Sequence, residues 1–287
     1  MKKPQYIDYS SLNVFSVFNQ TDIKYPIVLS VPHSGQTFPP AFFEMTNLSL
    51  QDLRANEDLY VDDLLSPLLN NSMTGIVMHM ARAFIDINRD QIELDDHMFE
   101  DYPSDKIIFE NSRCRSGYGL IHRIAGDSRP IYKKPLLYTE VQERIKNVYL
   151  NYHKNLKKLV DASVKKFGFC LVLDCHSMPS KICSIVDENS KIDICLGDLF
   201  LQSCPTEISD ILKNSLIQKG YSVLKNIPYS GAYTTFHYCE PRQKIYTLQL
   251  EVNRALYADE KTFEKKADYA RLQKDLCESI SELAKSL

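Results

Sequence analysis

The chain has 287 residues, 44% apolar and 25% charged, enough to bury a sizeable core in one large α/β domain or two small ones. Its formal net charge of −3 offers no basic field for nucleic acid or an anionic membrane surface. No run of ~18 apolar residues suits a membrane span, and the basic start MKKPQYIDYSSLNVF lacks the apolar stretch of ~7–15 residues in a signal peptide, so a cytoplasmic location is expected.

In chain order, Tyr25–Val31 (YPIVLSV) reads as a continuous apolar strand. Ser49 to Asn70 reads as a helix. Ser49-x-x-Asp52 has a capping-box pattern, and Leu53, Leu64, Leu65 and Leu68 fall near helical spacing. Gly75–Met80 and Ala83–Ile87 read as strands, the second closed by Asn88-Arg89. Asp90 to Leu137 is irregular and polar, and so long a loop region in a compact domain is usually functional. Thr139-x-x-Gln142 opens a long helix to about Lys166, striped by Val141, Ile145, Val148, Tyr149, Tyr152, Leu156 and Leu159. Phe169–Leu173, Asp193–Leu196 and Ile245–Leu250 read as strands, Thr206–Lys219 and Asp259–Leu287 as helices. Continuous rather than alternating strands imply a sheet covered on both faces. Strands alternating with helices imply an α/β fold with a central mixed, largely parallel sheet flanked by helices. No repeat, low-complexity tract or Gly/Ser linker divides the chain, so a single domain over 1–287 is expected.

Three apolar strands end in an ionisable residue: VLSVPHSG in His33, FCLVLDCHS in His176 and YTLQLEVNR in Glu251. Ligand sites of open α/β sheets lie beyond the carboxyl ends of the strands, so parallel neighbours would bring the three together. Two histidines and a carboxylate with an open fourth position compose a catalytic zinc site. A lone strand-end histidine is more often a satisfied core-edge residue. Two of them, each followed by serine, favour a site. A further carboxylate is expected from NEDLYVDDL, where Glu57 and Asp58 are adjacent on a predicted helix and point in different directions. Asp62 and Asp63 lie one turn on, and a solvated acidic helix face is the plain alternative. Asp174 stands two residues before His176, on the same side of a strand, where it can hydrogen-bond the ring or cap a loop amide. Arg82, Arg89, Arg123 and Arg254 lie near apolar runs or the irregular region, and guanidinium is the natural bidentate partner of a substrate carboxylate.

The eight cysteines form no CxxC pair and no zinc-finger spacing, and read as reduced thiols. A cysteine hydrolase using Cys175 or Cys239 is a minor alternative, because neither shows the electropositive setting that lowers a thiol pKa.

The segments PIVLSVPHSGQTFP, EDLYVDDLL, ARAFIDINRD, GLIHRIAGDSRPIY, NYHKNLKKLV, LVLDCHSMPS, IDICLGD and IPYSGAYTTFHYCEPRQKIYTLQLEVNRALY span roughly residues 25 to 260. Together they resemble the N-formylglutamate amidohydrolase (deformylase) family, which is distantly similar to zinc carboxypeptidases and implies their architecture. PHSG alone is a weak signal; with DCHS and LQLEVNR at these distances the set is specific. The resemblance implies one Zn2+ held by His33, Asp58 and His176. Asp58 is preferred to Glu57 because Asp58 and Asp62 match the family's D-x-x-x-D stretch. It makes Glu251 the general base and Arg89, with Asn88, the carboxylate clamp. Outside the resemblance, Arg82 is the first choice of oxyanion partner, and Arg123 and Arg254 are candidate further substrate contacts. The implied reaction is N-formyl-L-glutamate plus water to formate and L-glutamate, in histidine degradation. Other divalent ions also suit an imidazole/carboxylate site. One segment departs from the family pattern: GLIHR, with His122 where a proline is expected, in the irregular region that shapes substrate choice. The alternatives are a zinc deacylase or carboxypeptidase-like hydrolase of another N-acyl amino acid or small peptide, and a non-catalytic binding protein on this scaffold.

Overall fold

The computed structural model describes residues 7–106, 111–126, 128–186 and 192–287. The basic start of the chain, through Tyr6, and residues 107–110 and 127 of the irregular stretch lie outside the described residues. Among the described residues, seven strands form one sheet: β1 (Phe15–Phe18), β2 (Ile27–Val31), β3 (Thr74–Met78), β4 (Cys170–Met178), β5 (Ile194–Gly197), β6 (Val223–Lys225) and β7 (Ile245–Asn253). Their order is β1-β3-β2-β4-β7-β5-β6. β3, β2, β4 and β7 are parallel neighbours, whereas β5 runs antiparallel to β7 and parallel to β6. The sheet is therefore mixed and largely parallel, as the alternation of elements implies.

The chain divides into two compact units. One comprises the described residues of Met1–Ser16, Pro32–Glu57 and Met78–Asn155; the other comprises Val17–Val31, Asp58–Val77 and Leu156–Leu287. The second carries nearly all of the sheet. Every residue of β2, β4 and β5 is buried, as continuous apolar runs predict for a sheet covered on both faces. Helices Val61–Asn71, Thr206–Gln218 and Tyr269–Ser286 pack into the same core as Leu29, Leu173 and Leu250. Among the described residues, no helix is long and apolar enough to cross a membrane.

Several elements differ from the sequence reading, each for a local reason. Ser49–Asn70 is not one helix. Leu50–Arg54 opens on the expected capping box, with Ser49 and Asp52 bonded reciprocally, and a second helix starts at Val61. Tyr60 breaks the run in a left-handed conformation, φ 60°, which no helix interior accommodates. Glu57 and Asp58 consequently lie in the break rather than on a helix. Ala83–Ile87 is not a strand. The helical run beneath it donates to carbonyls in and just after this stretch: Arg144 to Phe84, His153 to Ile87 and Tyr149 to Arg89, at 2.9, 2.9 and 3.0 Å. Those acceptors have no need of a ladder. That run is interrupted, with helices Tyr138–Arg144 and Leu150–Phe167 joined by a π turn over Ile145–Tyr149, but its whole predicted stripe is buried. The final helix starts at Tyr269 rather than Asp259, because Asp259 caps a turn through the backbone N–H groups of Lys261 and Thr262. The edge strands β1 and β6 were not expected; they are short and only partly buried.

Candidate active site

The chain leaves β2 through helix Val61–Asn71 to β3 on one side, while β4 lies on the other side of β2. This reversal of strand order is a topological switch point, where ligand sites of open α/β sheets form. His33 follows the last residue of β2 by two positions. His176 and Glu251 lie within β4 and β7, which run beyond their apolar segments, and they are direct cross-strand partners.

In the second unit, alternation along β4 puts Asp174 and His176 on one face. Asp174 is fully buried. It accepts from Ser30 Oγ at 2.8 Å and lies 2.8 Å from His176 Nε2. The other ring nitrogen, Nδ1, is 2.9 Å from Asp58 Oδ2. Burial opposes charge on this ring, but Asp174, Asp58 and Glu251 outweigh it and hold its pKa well above the usual histidine range. Arg254, also buried, lies 3.6 Å from Asp58 Oδ1 and donates to Ser177 Oγ at 3.3 Å. Glu251 Oε1 accepts from Gln249 Nε2 at 2.7 Å.

In the first unit, charge converges on Asp86, which has no exposed surface. Its Oδ1 faces His33 Nε2 at 2.7 Å and accepts from the Asn88 backbone N–H at 2.9 Å. Its Oδ2 faces Arg82 Nε at 2.9 Å, His122 Nε2 at 3.2 Å and the Arg89 guanidinium at 3.5 Å. Burial pushes the Asp86 carboxyl up, but Arg82, Arg89, His33 and His122 outweigh it and hold it well below the usual carboxylate range. Burial pushes His122 down to about 4, against the pull of Asp86, so the ring is neutral. Asn56 donates to its Nδ1 at 3.0 Å, leaving Nε2–H to donate to Asp86. Burial likewise lowers Arg89 to about 10. Arg89 also donates to the carbonyls of Tyr118 and Asn88. Arg123, 41% exposed, pairs with Asp95 at 2.8 Å.

Three residues could each offer one atom to a metal: Asp58 and His176, buried in the second unit, and His33, buried in the first. Their surroundings fit a metal. Histidine ligands usually give their second ring N–H to a carboxylate, and both histidines do so through Nε2, to Asp86 and Asp174. Two ligands at ~2.0–2.1 Å from a tetrahedral zinc stand roughly 3.3 Å apart, close to the 2.9 Å between His176 Nδ1 and Asp58 Oδ2. Glu57, the rival to Asp58, is committed elsewhere: it accepts from Gln36 and Arg54 at 2.9 and 2.8 Å. Its burial, and that of Asp58, removes the solvated-face alternative.

The sequence profile of the N-formylglutamate amidohydrolase family matches residues 25–258. The chain belongs to this family. It is 26% identical over 270 residues to an N-formylglutamate deformylase of Pseudomonas aeruginosa, covering 91% of this chain and 92% of that one. A Pseudomonas putida protein of the same name is 24% identical over 82% of each chain. The solved N-formylglutamate amidohydrolase of Ralstonia eutropha JMP134 superposes with a TM-score of 0.89 at 30% identity, covering 96% of this chain and 98% of that chain.

Within this N-formylglutamate amidohydrolase-family chain, sequence reasoning missed Asp86 and Gln249. Asp86 sits in the apolar run AFIDIN, where a carboxylate between two arginines was the available signal. Gln249 was legible only as a polar residue two positions before Glu251. All eight cysteines are free, six of them buried. Burial raises the thiol pKa of both Cys175 and Cys239, the opposite of what a cysteine nucleophile requires.

Proposed function

We propose that this chain is a metal-dependent amidohydrolase that cleaves N-formyl-L-glutamate to formate and L-glutamate, with residues 1–287 acting as one domain. The observation that carries the metal assignment is that both candidate histidine ligands rest Nε2 on a buried carboxylate, Asp86 for His33 and Asp174 for His176. Family membership and the names of the relatives support the substrate. An imidazole/carboxylate donor set favours zinc. A cytoplasmic location agrees with eight free thiols, and a role in histidine breakdown follows from the substrate.

His33, Asp58 and His176 would hold the ion, which when bound supplies Lewis-acid activation of water and of the scissile carbonyl. Glu251 takes the proton of the attacking water and returns it to the leaving amine. Arg82, partly exposed beside Asp86, offers its guanidinium to the developing oxyanion. Arg89 binds the substrate carboxylate, and Asn88, whose carbonyl accepts from Arg89, holds the guanidinium in place. Arg123 and Arg254 are assigned as further substrate contacts; Arg123 would exchange Asp95 for the substrate.

The test is formate release by purified, zinc-loaded protein from N-formyl-L-glutamate, beside N-acetyl- and N-succinyl-glutamate. Hydrolysis that chelator abolishes and zinc restores is expected. Cleavage of only the acetyl or succinyl compound would move the assignment to a different deacylase. No hydrolysis and no bound metal would make the chain a binding protein. Glu251→Gln is expected to lower kcat ~10²–10⁴-fold with zinc retained; full activity would remove Glu251 from the base role.

A further inference from the structure

Thr247, Gln249 and Glu251 alternate along β7 and so share one face of the sheet. Their exposures are 0%, 2% and 7%, so each polar group on this face must find a partner inside the protein. The short helix Tyr233–His237 supplies them. Thr247 Oγ1 donates to the Thr235 carbonyl at 2.6 Å, pinning that helix to the strand. The Ala232 backbone N–H donates to Thr235 Oγ1 at 3.4 Å, so the Thr235 hydroxyl proton is directed away, toward Gln249 Oε1 at 3.5 Å. In this arrangement Gln249 Oε1 accepts from Thr235, and Nε2 donates to Glu251 Oε1 at 2.7 Å.

We infer that Gln249 is a positioning residue for the general base, held in its working orientation by Thr235. This deepens the proposed function and rests on its assignment of Glu251 as base. The chain Thr235–Gln249–Glu251 holds the Glu251 carboxylate through Oε1. Gln249 and Thr235 are both buried and act through Glu251. Their effect is to keep the carboxylate in one rotamer, so that it need not reorganise during the reaction.

The variant Gln249→Met keeps length and volume but removes both the donor and the acceptor. In metal-loaded enzyme acting on N-formyl-L-glutamate, kcat is expected to fall on the order of 10²-fold, the cost of slight misplacement of a reacting group. KM, bound zinc and melting temperature should stay as in the parent, and a crystal structure of the variant should show Glu251 rotated. Thr235→Val should give a smaller fall in kcat that Thr235→Ser restores; this pair carries the test if Gln249→Met does not fold. An unchanged kcat in both Gln249→Met and Thr235→Val, or a loss carried by KM or metal content, overturns the inference. Glu251→Gln, assayed alongside, separates the two claims. If it is fully active, the base assignment falls; if it is inactive while Gln249→Met is unimpaired, only the role of Gln249 falls.

Discussion

Asp86 concentrates more charge than any other residue described above while exposing none of it. Two arginines and two histidines share its two oxygens, so their attraction outweighs the cost of burying a carboxylate. Under the proposed function, the consequence would reach the metal through His33. Asp86→Asn keeps the shape but loses the charge that holds the His33 ring and both arginines. Its zinc affinity is expected to fall ~10–100-fold, as on removing other carboxylates that hold metal-ligating histidines. A competition titration against a chelating dye measures this; unchanged affinity would show that something other than Asp86 orients His33. At this scale the sequence shows the participants and hides the assembly. Arg82, Asp86 and Arg89 stand within eight positions of one another, but His33 and His122 come from distant segments. No periodicity links them.

Among the elements, residues 81–89 show how an apolar run can avoid becoming a strand. Their carbonyls are taken by Arg144, Tyr149 and His153, side chains on one helical run. Arg144 is itself fully buried, pairs with Glu140 and lies 4.2 Å over the Phe84 ring. Replacing it with Met would strand the Glu140 carboxylate, an expected loss of about 3–5 kcal/mol in urea unfolding. A loss under 1 kcal/mol would mean that Glu140 finds another partner. Helix Leu50–Arg54 depends on pH in a definite direction. The Ser49 hydroxyl and backbone N–H, then Arg129, lower the Asp52 carboxyl to about 2, below its unfolded value of 3.8. The capping contribution is therefore full above that unfolded value and lost as pH falls toward 2. Acid titration of Asp52→Asn should lack the transition that the parent shows in this window. The capping box itself was legible from Ser49-x-x-Asp52, because its chemistry is local. The restart at Val61 was not, because Tyr60 takes its left-handed turn while its hydroxyl reaches the Phe263 carbonyl, about two hundred residues away.

For the molecule as a whole, the metal assignment predicts a stability that depends on zinc. Ligand at one hundred times its Kd adds about 2.7 kcal/mol, which in a chain of this length raises the melting temperature by roughly 4–5 °C. Calorimetry with excess zinc and with chelator should show that difference, and identical curves would remove the metal. By itself the sequence determined the α/β class, the buried strands, the helix stripes and the residue types of the site. These follow from periodicity and composition, which act over a few neighbouring residues. Only the tertiary structure decided that β4 lies between β2 and β7, and that His176 pairs with Glu251 and Asp174 with Gln249. It also decided which carboxylate holds each histidine. Strand order and register are set by long-range packing and by which hydrogen-bonding groups remain to be satisfied, and no local pattern encodes them. His33, His176 and Glu251 were visible as strand-end chemistry; Asp86 and Gln249 became visible only when the fold showed what they hold.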